Sequence, residues 1–106
     1  MSFVVEVTEQ TFATEVLASN RPVLVEYWAD WCAPCKQLAP LMDELSDQYQ
    51  QVKFCKVDIN ANPTLAARQG VMSLPTLQVI VGGETTQSVQ GGKTKAGLIA
   101  LIGDYV

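Results

Sequence analysis

The sequence predicts an α/β fold, with a central mixed parallel/antiparallel sheet of about five strands flanked by about four helices. Three observations predict it. Short apolar runs alternate with stretches of helical periodicity, which implies parallel strands joined by crossover helices. The run from Pro22 to Ala29 is nearly continuously apolar, interrupted only by Glu26, as expected of a central strand buried on both faces. Near the end, a strand-like run meets Gly82-Gly83, a tight hairpin turn that adds an antiparallel strand.

The elements follow in order. Phe3 to Val7 is a short apolar strand. Thr8 suits a helix cap, and the helix it would open runs from about Glu9 to Ala18, with acidic Glu9 in its first turn, until Asn20-Arg21-Pro22 breaks it. The central strand follows, and then a helix with Leu38, Leu41, Met42 and Leu45 at helical spacing. Pro40 lies inside that helix and is expected to kink it, because its ring and its missing N–H both disturb the preceding turn. Val52 to Ile59 is a third strand, and Asn62-Pro63 starts a short helix that turns Leu65 and Ala66 inward before Gly70 stops it. Thr76 to Val81 and Glu84 to Gln90 form the hairpin, the second strand being the more polar edge. A last helix from about Thr94 to Tyr105 presents Leu98, Ile99, Leu101 and Ile102.

Composition bounds what such a body can do. At 106 residues the chain is expected to be one domain, spanning residues 1–106, large enough to bury a core without staples. Hydrophobic residues at 48% and charged residues at 17% describe a globular chain with a sparsely charged surface. A net charge of -4 with no basic run argues against nucleic acid or an anionic membrane as partner and leaves proteins or small molecules. No stretch reaches transmembrane length, and the first residues lack the pattern of a secretory peptide. The expected compartment is the cytoplasm, or an organellar matrix or stroma if the chain is a processed form. Three cysteines without any histidine exclude an intrachain Cys/His zinc site by counting, although Cys32 and Cys35 could share a metal between two chains. No nucleotide loop is present, and no metal or cofactor is expected.

The chemistry concentrates in Trp31-Cys32-Ala33-Pro34-Cys35, two thiols one helical turn apart at a strand-to-helix junction. Unpaired N–H groups and the helix dipole favour an anion there, so a thiolate at Cys32 would be stabilised where it is accessible. Cys32 is expected to attack a substrate disulfide, provided its sulfur is exposed, and Cys35, one turn inward, to attack the Cys32 sulfur and release the reduced substrate. A static structural disulfide, or two inert thiols, is the bland alternative.

The residues Trp28-Ala29-Asp30-Trp31-Cys32-Ala33-Pro34-Cys35-Lys36, with Leu74-Pro75-Thr76 downstream and Gly91 after the hairpin, resemble the thioredoxin family over essentially the whole chain. The resemblance implies a thioredoxin-like fold and a dithiol–disulfide oxidoreductase that reduces disulfide-containing substrate proteins and is recharged by a thioredoxin reductase. A monomer is expected. Noncatalytic binding to a larger protein and net oxidation or isomerisation are the competing functions; the intact thiol pair weighs against the first and the intracellular-looking sequence against the second.

Glu26 departs from the aspartate usual in that family. A lone carboxylate among apolar residues should have a raised pKa and could exchange protons with Cys35, fold toward Lys56, or reach solvent at the strand end. Ala33 replaces the usual glycine, adding a methyl compatible with a helix start. Resemblance further implies a cis peptide before Pro75, beside the cysteines, where the preceding residue's backbone can pair with an extended substrate. Trp31, Ala33, Pro34, Val71, Met72, Ser73, Leu74, Pro75 and Gly91 would then border a shallow apolar docking surface, or simply pack their loops. Trp28 is expected in the core and Cys55 as a small buried hydrophobe. Asp30 and Lys36 either tune charge beside the thiols or are solvated, while Gly82, Gly83 and Gly92 read as conformational.

Overall fold

The computed structural model describes residues 1–106. Its strands are β1 (Val5–Glu6), β2 (Val23–Trp28), β3 (Lys53–Asp58), β4 (Thr76–Val81) and β5 (Glu84–Gln90). A π-helical turn, Ala13–Leu17, precedes β2, and the α-helices are α1 (Ala33–Gln48), α2 (Pro63–Arg68) and α3 (Lys95–Ile102), the last running into a 3-10 turn at Gly103–Tyr105. The sheet order is β1-β3-β2-β4-β5. Strand β2 is therefore central, parallel to β3 and antiparallel to β4, as its apolar run implies.

Alternation along β2 assigns its two faces. Leu24 joins Leu38, Met42 and Leu45 of α1 and Leu98, Leu101 and Ile102 of α3 in one core; Val23, Val25 and Tyr27 join Val16, Cys55 and Leu65 of α2 in the other. Glu26, in step with Leu24, therefore faces α1, the helix that starts at the thiols. The helical spacing of Leu38, Met42 and Leu45 leaves each 2% exposed or less, so truncating any one to Ala would cost about 2–5 kcal/mol.

The hairpin matches its sequence reading to the residue. Gly82 and Gly83 have φ of 60° and 82°, the pair of left-handed conformations that a two-residue hairpin turn needs. Helix α1 continues through Pro40. Helix α2 ends as Gly70 predicts: with φ 73° it lets its own N–H reach Ala67 and the Val71 N–H reach Ala66, closing the last turn. Thr94 caps α3 by accepting from the Gly97 N–H at 3.1 Å.

The amino-terminal expectations shrink. Strand β1 keeps only Val5 and Glu6 of the expected Phe3 to Val7, because the Phe3 N–H is taken by Ser46 Oγ of α1 at 2.8 Å. The expected helix from Glu9 to Ala18 is reduced to Ala13–Leu17. Its first turn is occupied otherwise: Thr8 N–H donates to Thr11 Oγ1, Gln10 N–H donates to Thr8 Oγ1, and Glu9 N–H donates to Asn62 Oδ1 from the loop before α2. Side-chain acceptors thus satisfy backbone donors that a regular helix would have left to its cap.

Candidate active site

Strand β2 ends at Trp28, and the chain turns through Asp30 and Trp31 into α1, with Cys32 at the N-cap in extended conformation, φ -94° and ψ 102°. Ala33 and Pro34 occupy the first helical positions, where Pro lacks nothing the helix would use. Cys32 and Cys35 are joined in a disulfide, with Cα atoms 5.3 Å apart. The Cys35 N–H also donates to Cys32 Sγ at 3.3 Å, so the cysteine sulfur takes the place that a serine or aspartate oxygen commonly takes at a helix start.

The expected contrast between an exposed outer and an enclosed inner sulfur is not expressed in exposure. Cys32 is 4% and Cys35 3% exposed, since the bond folds the outer sulfur against the helix start. What separates them is their surroundings. Cys35, not Cys32, lines a cavity of about 140 Å³ together with Glu26, Trp28, Asp30, Lys36, Ala39 and Lys56.

Glu26 ends in this cavity at 3% exposure, which removes the solvent-facing alternative. Burial pushes its carboxyl pKa from 4.5 up to about 7; the Lys56 ammonium opposes that shift and Asp43 adds to it. Lys56 stands opposite Glu26 in the β2–β3 register, yet none of the ion pairs in the structure includes either residue. The ammonium lies instead 5.7 Å from the centre of the Trp28 ring. Glu26 Oε2 and Trp28 Nε1 are both buried without a hydrogen-bond partner, and both residues line the same cavity. Trp28, expected in the core, is half-buried and forms the cavity wall.

The downstream residues close around the turn. Leu74-Pro75 is a cis peptide. Register places Thr76 opposite Tyr27, so Pro75 stands at the end of β4 beside the end of β2 from which the cysteine turn departs. The Gly91 N–H donates to the Pro75 carbonyl at 2.9 Å, and Gly91 has φ 89°. At Gly92, which sequence reasoning treated as conformational only, a Cβ would stand 3.7 Å from Pro34 Cβ; its signal was adjacency to Gly91. Trp31 is 68% and Met72 90% exposed, whereas Val71 and Leu74 pack partly against the β2 core. The backbone groups of Met72 and Leu74 and the Ser73 N–H make no hydrogen bond within the chain. Ala39 was also missed, although it follows Cys35 by one helical turn and so shares its face. Cys55 is fully buried as expected, and burial pushes its thiol up to about 11.

A paired Cys-x-x-Cys at the start of a helix, set beside a cis-proline strand in a mixed sheet, can pass two electrons by disulfide exchange. The family model described as thioredoxin matches residues 3–104. The chain belongs to the thioredoxin family. It is similar to a thioredoxin of Streptomyces clavuligerus, 46% identical over 93 residues, covering 88% of this chain and 87% of that protein. It is similar also to thioredoxin 1 of Nostoc sp., 43% identical, with 92% of each chain covered. A bifunctional thioredoxin reductase/thioredoxin of Mycobacterium leprae is 42% identical over 96% of this chain, which spans 22% of that longer protein. As a thioredoxin-family member the protein is a dithiol–disulfide oxidoreductase, and recharging by thioredoxin reductase is the standard role in this family. No helix is long and apolar enough to cross a membrane.

Proposed function

We propose that residues 1–106 act as one unit, a monomer reducing disulfides of substrate proteins in the cytoplasm, with Cys32 as nucleophile and Cys35 as resolving thiol. The Cys35 N–H aimed at Cys32 Sγ is the observation that carries this assignment, because the same donor would hold a thiolate at the helix start. In the reduced protein, the Cys32 thiolate attacks one sulfur of a substrate disulfide; a mixed disulfide forms and the first substrate thiolate leaves. Cys35 then loses its proton, attacks Cys32 Sγ and expels the second substrate thiolate. Two electrons pass to the substrate, and the Cys32–Cys35 disulfide remains. A thioredoxin reductase returns those electrons, a cycle that suits a reducing compartment.

Glu26 takes the Cys35 proton in this reading. Both residues border one cavity, and a carboxyl with a pKa of about 7 can accept or return a proton at neutral pH. Lys56 limits how far burial raises that pKa and thereby keeps the group in working range. Trp31, Ala33, Pro34, Met72, Ser73, Leu74, Pro75 and Gly91 form the docking rim. The unpaired backbone groups from Met72 to Leu74 would meet an extended substrate segment as one more strand meets an edge. Insulin reduction driven by dithiothreitol tests the assignment. Turnover should vanish in Cys32→Ser; a mutant rate equal to wild type would refute catalytic exchange through this thiol.

A further inference from the structure

On the sheet face turned away from the Glu26 cavity, β4 buries a glutamine. Gln78 is 3% exposed, and a primary amide there costs free energy unless its acceptor and both donor hydrogens are paired. All are paired. Gln78 Oε1 accepts from the Tyr27 hydroxyl at 2.9 Å, and Nε2 donates to the Gln69 carbonyl at 2.9 Å and to Ser88 Oγ at 3.3 Å. The Gln69 carbonyl can only accept, so it fixes which end of the amide is nitrogen.

Gln69 is the C-cap of α2. Its helix closes by bonds from Gly70 and Val71 to Ala67 and Ala66, which leaves the Gln69 carbonyl among the orphans of the helix end until Gln78 supplies a donor. Residues 70–75 follow directly. Their far end is tied by Thr76 Oγ1 donating to the Ser73 carbonyl at 2.6 Å and by the Gly91 N–H on Pro75. The near end is tied to the sheet by Gln78.

We propose that Gln78 is a positioning residue for disulfide exchange: its amide fixes the entry of the loop from Gly70 to Pro75 and so the height of the docking rim over the thiols. The proposal rests on the reading of that loop as the docking rim. Gln78 touches no reacting atom, and its effect should appear only with substrates that carry a peptide chain.

The test uses the reduced protein in single-turnover reactions with insulin and with bis(nitrobenzoate) disulfide, which has no chain to dock, together with amide hydrogen exchange of Gly70 and Val71, the two amides of the loop that are hydrogen-bonded. Gln78→Leu should slow the insulin reaction about fivefold, the worth of one anchoring hydrogen bond, and speed loop exchange by a similar factor. The small disulfide should react as with wild type. Tyr27→Phe, which keeps the Gln78–Gln69 bond, should leave both the rate ratio and loop exchange unmoved. If Gln78→Leu fails to fold, the double variant with Tyr27→Phe removes both polar partners together and is measured in its place. Unchanged loop exchange in the folded variant overturns the proposal. Met72→Ser probes the rim itself: an unslowed insulin reaction there, with loop exchange raised in Gln78→Leu, overturns the docking reading and leaves the anchor standing.

Discussion

The two faces of β2 hold polar groups under opposite conditions. Toward α1, Glu26 Oε2 and Trp28 Nε1 are buried without partners around the cavity that Cys35 borders. Toward α2, Tyr27 and Gln78 are as deeply buried, and each polar atom has a partner. A satisfied buried network rigidifies what it joins, whereas an unsatisfied one keeps a group able to change its charge. In the roles proposed above, one face lets a proton come and go and the other keeps a loop still.

Mutations should separate the faces by size and by pH dependence. Largest is Cys35→Ser, which removes the resolving thiol: turnover should fall to background, and a mixed disulfide at Cys32 should accumulate, visible by mass spectrometry as an adduct reversed by dithiothreitol. Recovery of free protein at the wild-type rate would show that the second thiol is dispensable.

Glu26→Gln comes next. The folded-state pKa, about 7, lies above the ordinary 4.5, so the folded protein holds this proton more tightly than the unfolded chain does. Its contribution to stability is fully present below pH 4.5 and is lost as pH rises through about 7. The glutamine variant cannot ionise, so it should gain on wild type by about 3 kcal/mol once pH exceeds 8 and by nothing near pH 4. Its exchange rate should fall about tenfold or more if the carboxylate receives the Cys35 proton. Denaturant melts across pH 4–9 check the first statement and single-turnover kinetics the second; a pH-independent stability difference would mean that Glu26 is not the titrating group.

Tyr27→Phe probes the other face. It leaves Gln78 Oε1 without its donor, and the loss should be about 1–2 kcal/mol, constant between pH 5 and 9 because burial holds the Tyr27 hydroxyl far above the ordinary phenol range. A loss that varied with pH in that window would blur the contrast between the faces.

How far the sequence reveals these faces depends on how local the cause is. The hairpin at Gly82-Gly83, the stop at Gly70 and the start of the last helix at about Thr94 are decided within a few residues and are legible from them. The apolar run on either side of it likewise marks Glu26 as a lone carboxylate within a buried strand. Its choice among Cys35, Lys56 and solvent was not legible, because it depends on where α1 crosses the sheet and on Lys56 lying over Trp28. The amino-terminal shortfalls have the same origin. Ser46 takes the Phe3 N–H from 43 residues away and Asn62 the Glu9 N–H from 53, and no window of local pattern contains both partners. The Tyr27–Gln78 network escaped for that reason too, its partners being 51 residues apart.

The smallest expected effect falls on the exposed methyl of Ala33, between Cys32 and Pro34 at the start of α1. Ala33 opens α1 directly after the Cys32 cap, and glycine there would leave the cap bond in place while freeing the unfolded backbone. Because the position lies in the first turn, Ala33→Gly should cost less than the roughly 1 kcal/mol of a helix interior. Exchange with a small disulfide should be unaltered, since the Cys35 N–H and Cys32 Sγ keep their relation. Any change should appear with protein substrates, whose backbone passes that methyl in the proposed docking mode. Faster insulin reduction by the glycine variant would show the methyl to be an obstruction, and the same change with the small disulfide would relocate its effect to the sulfurs themselves.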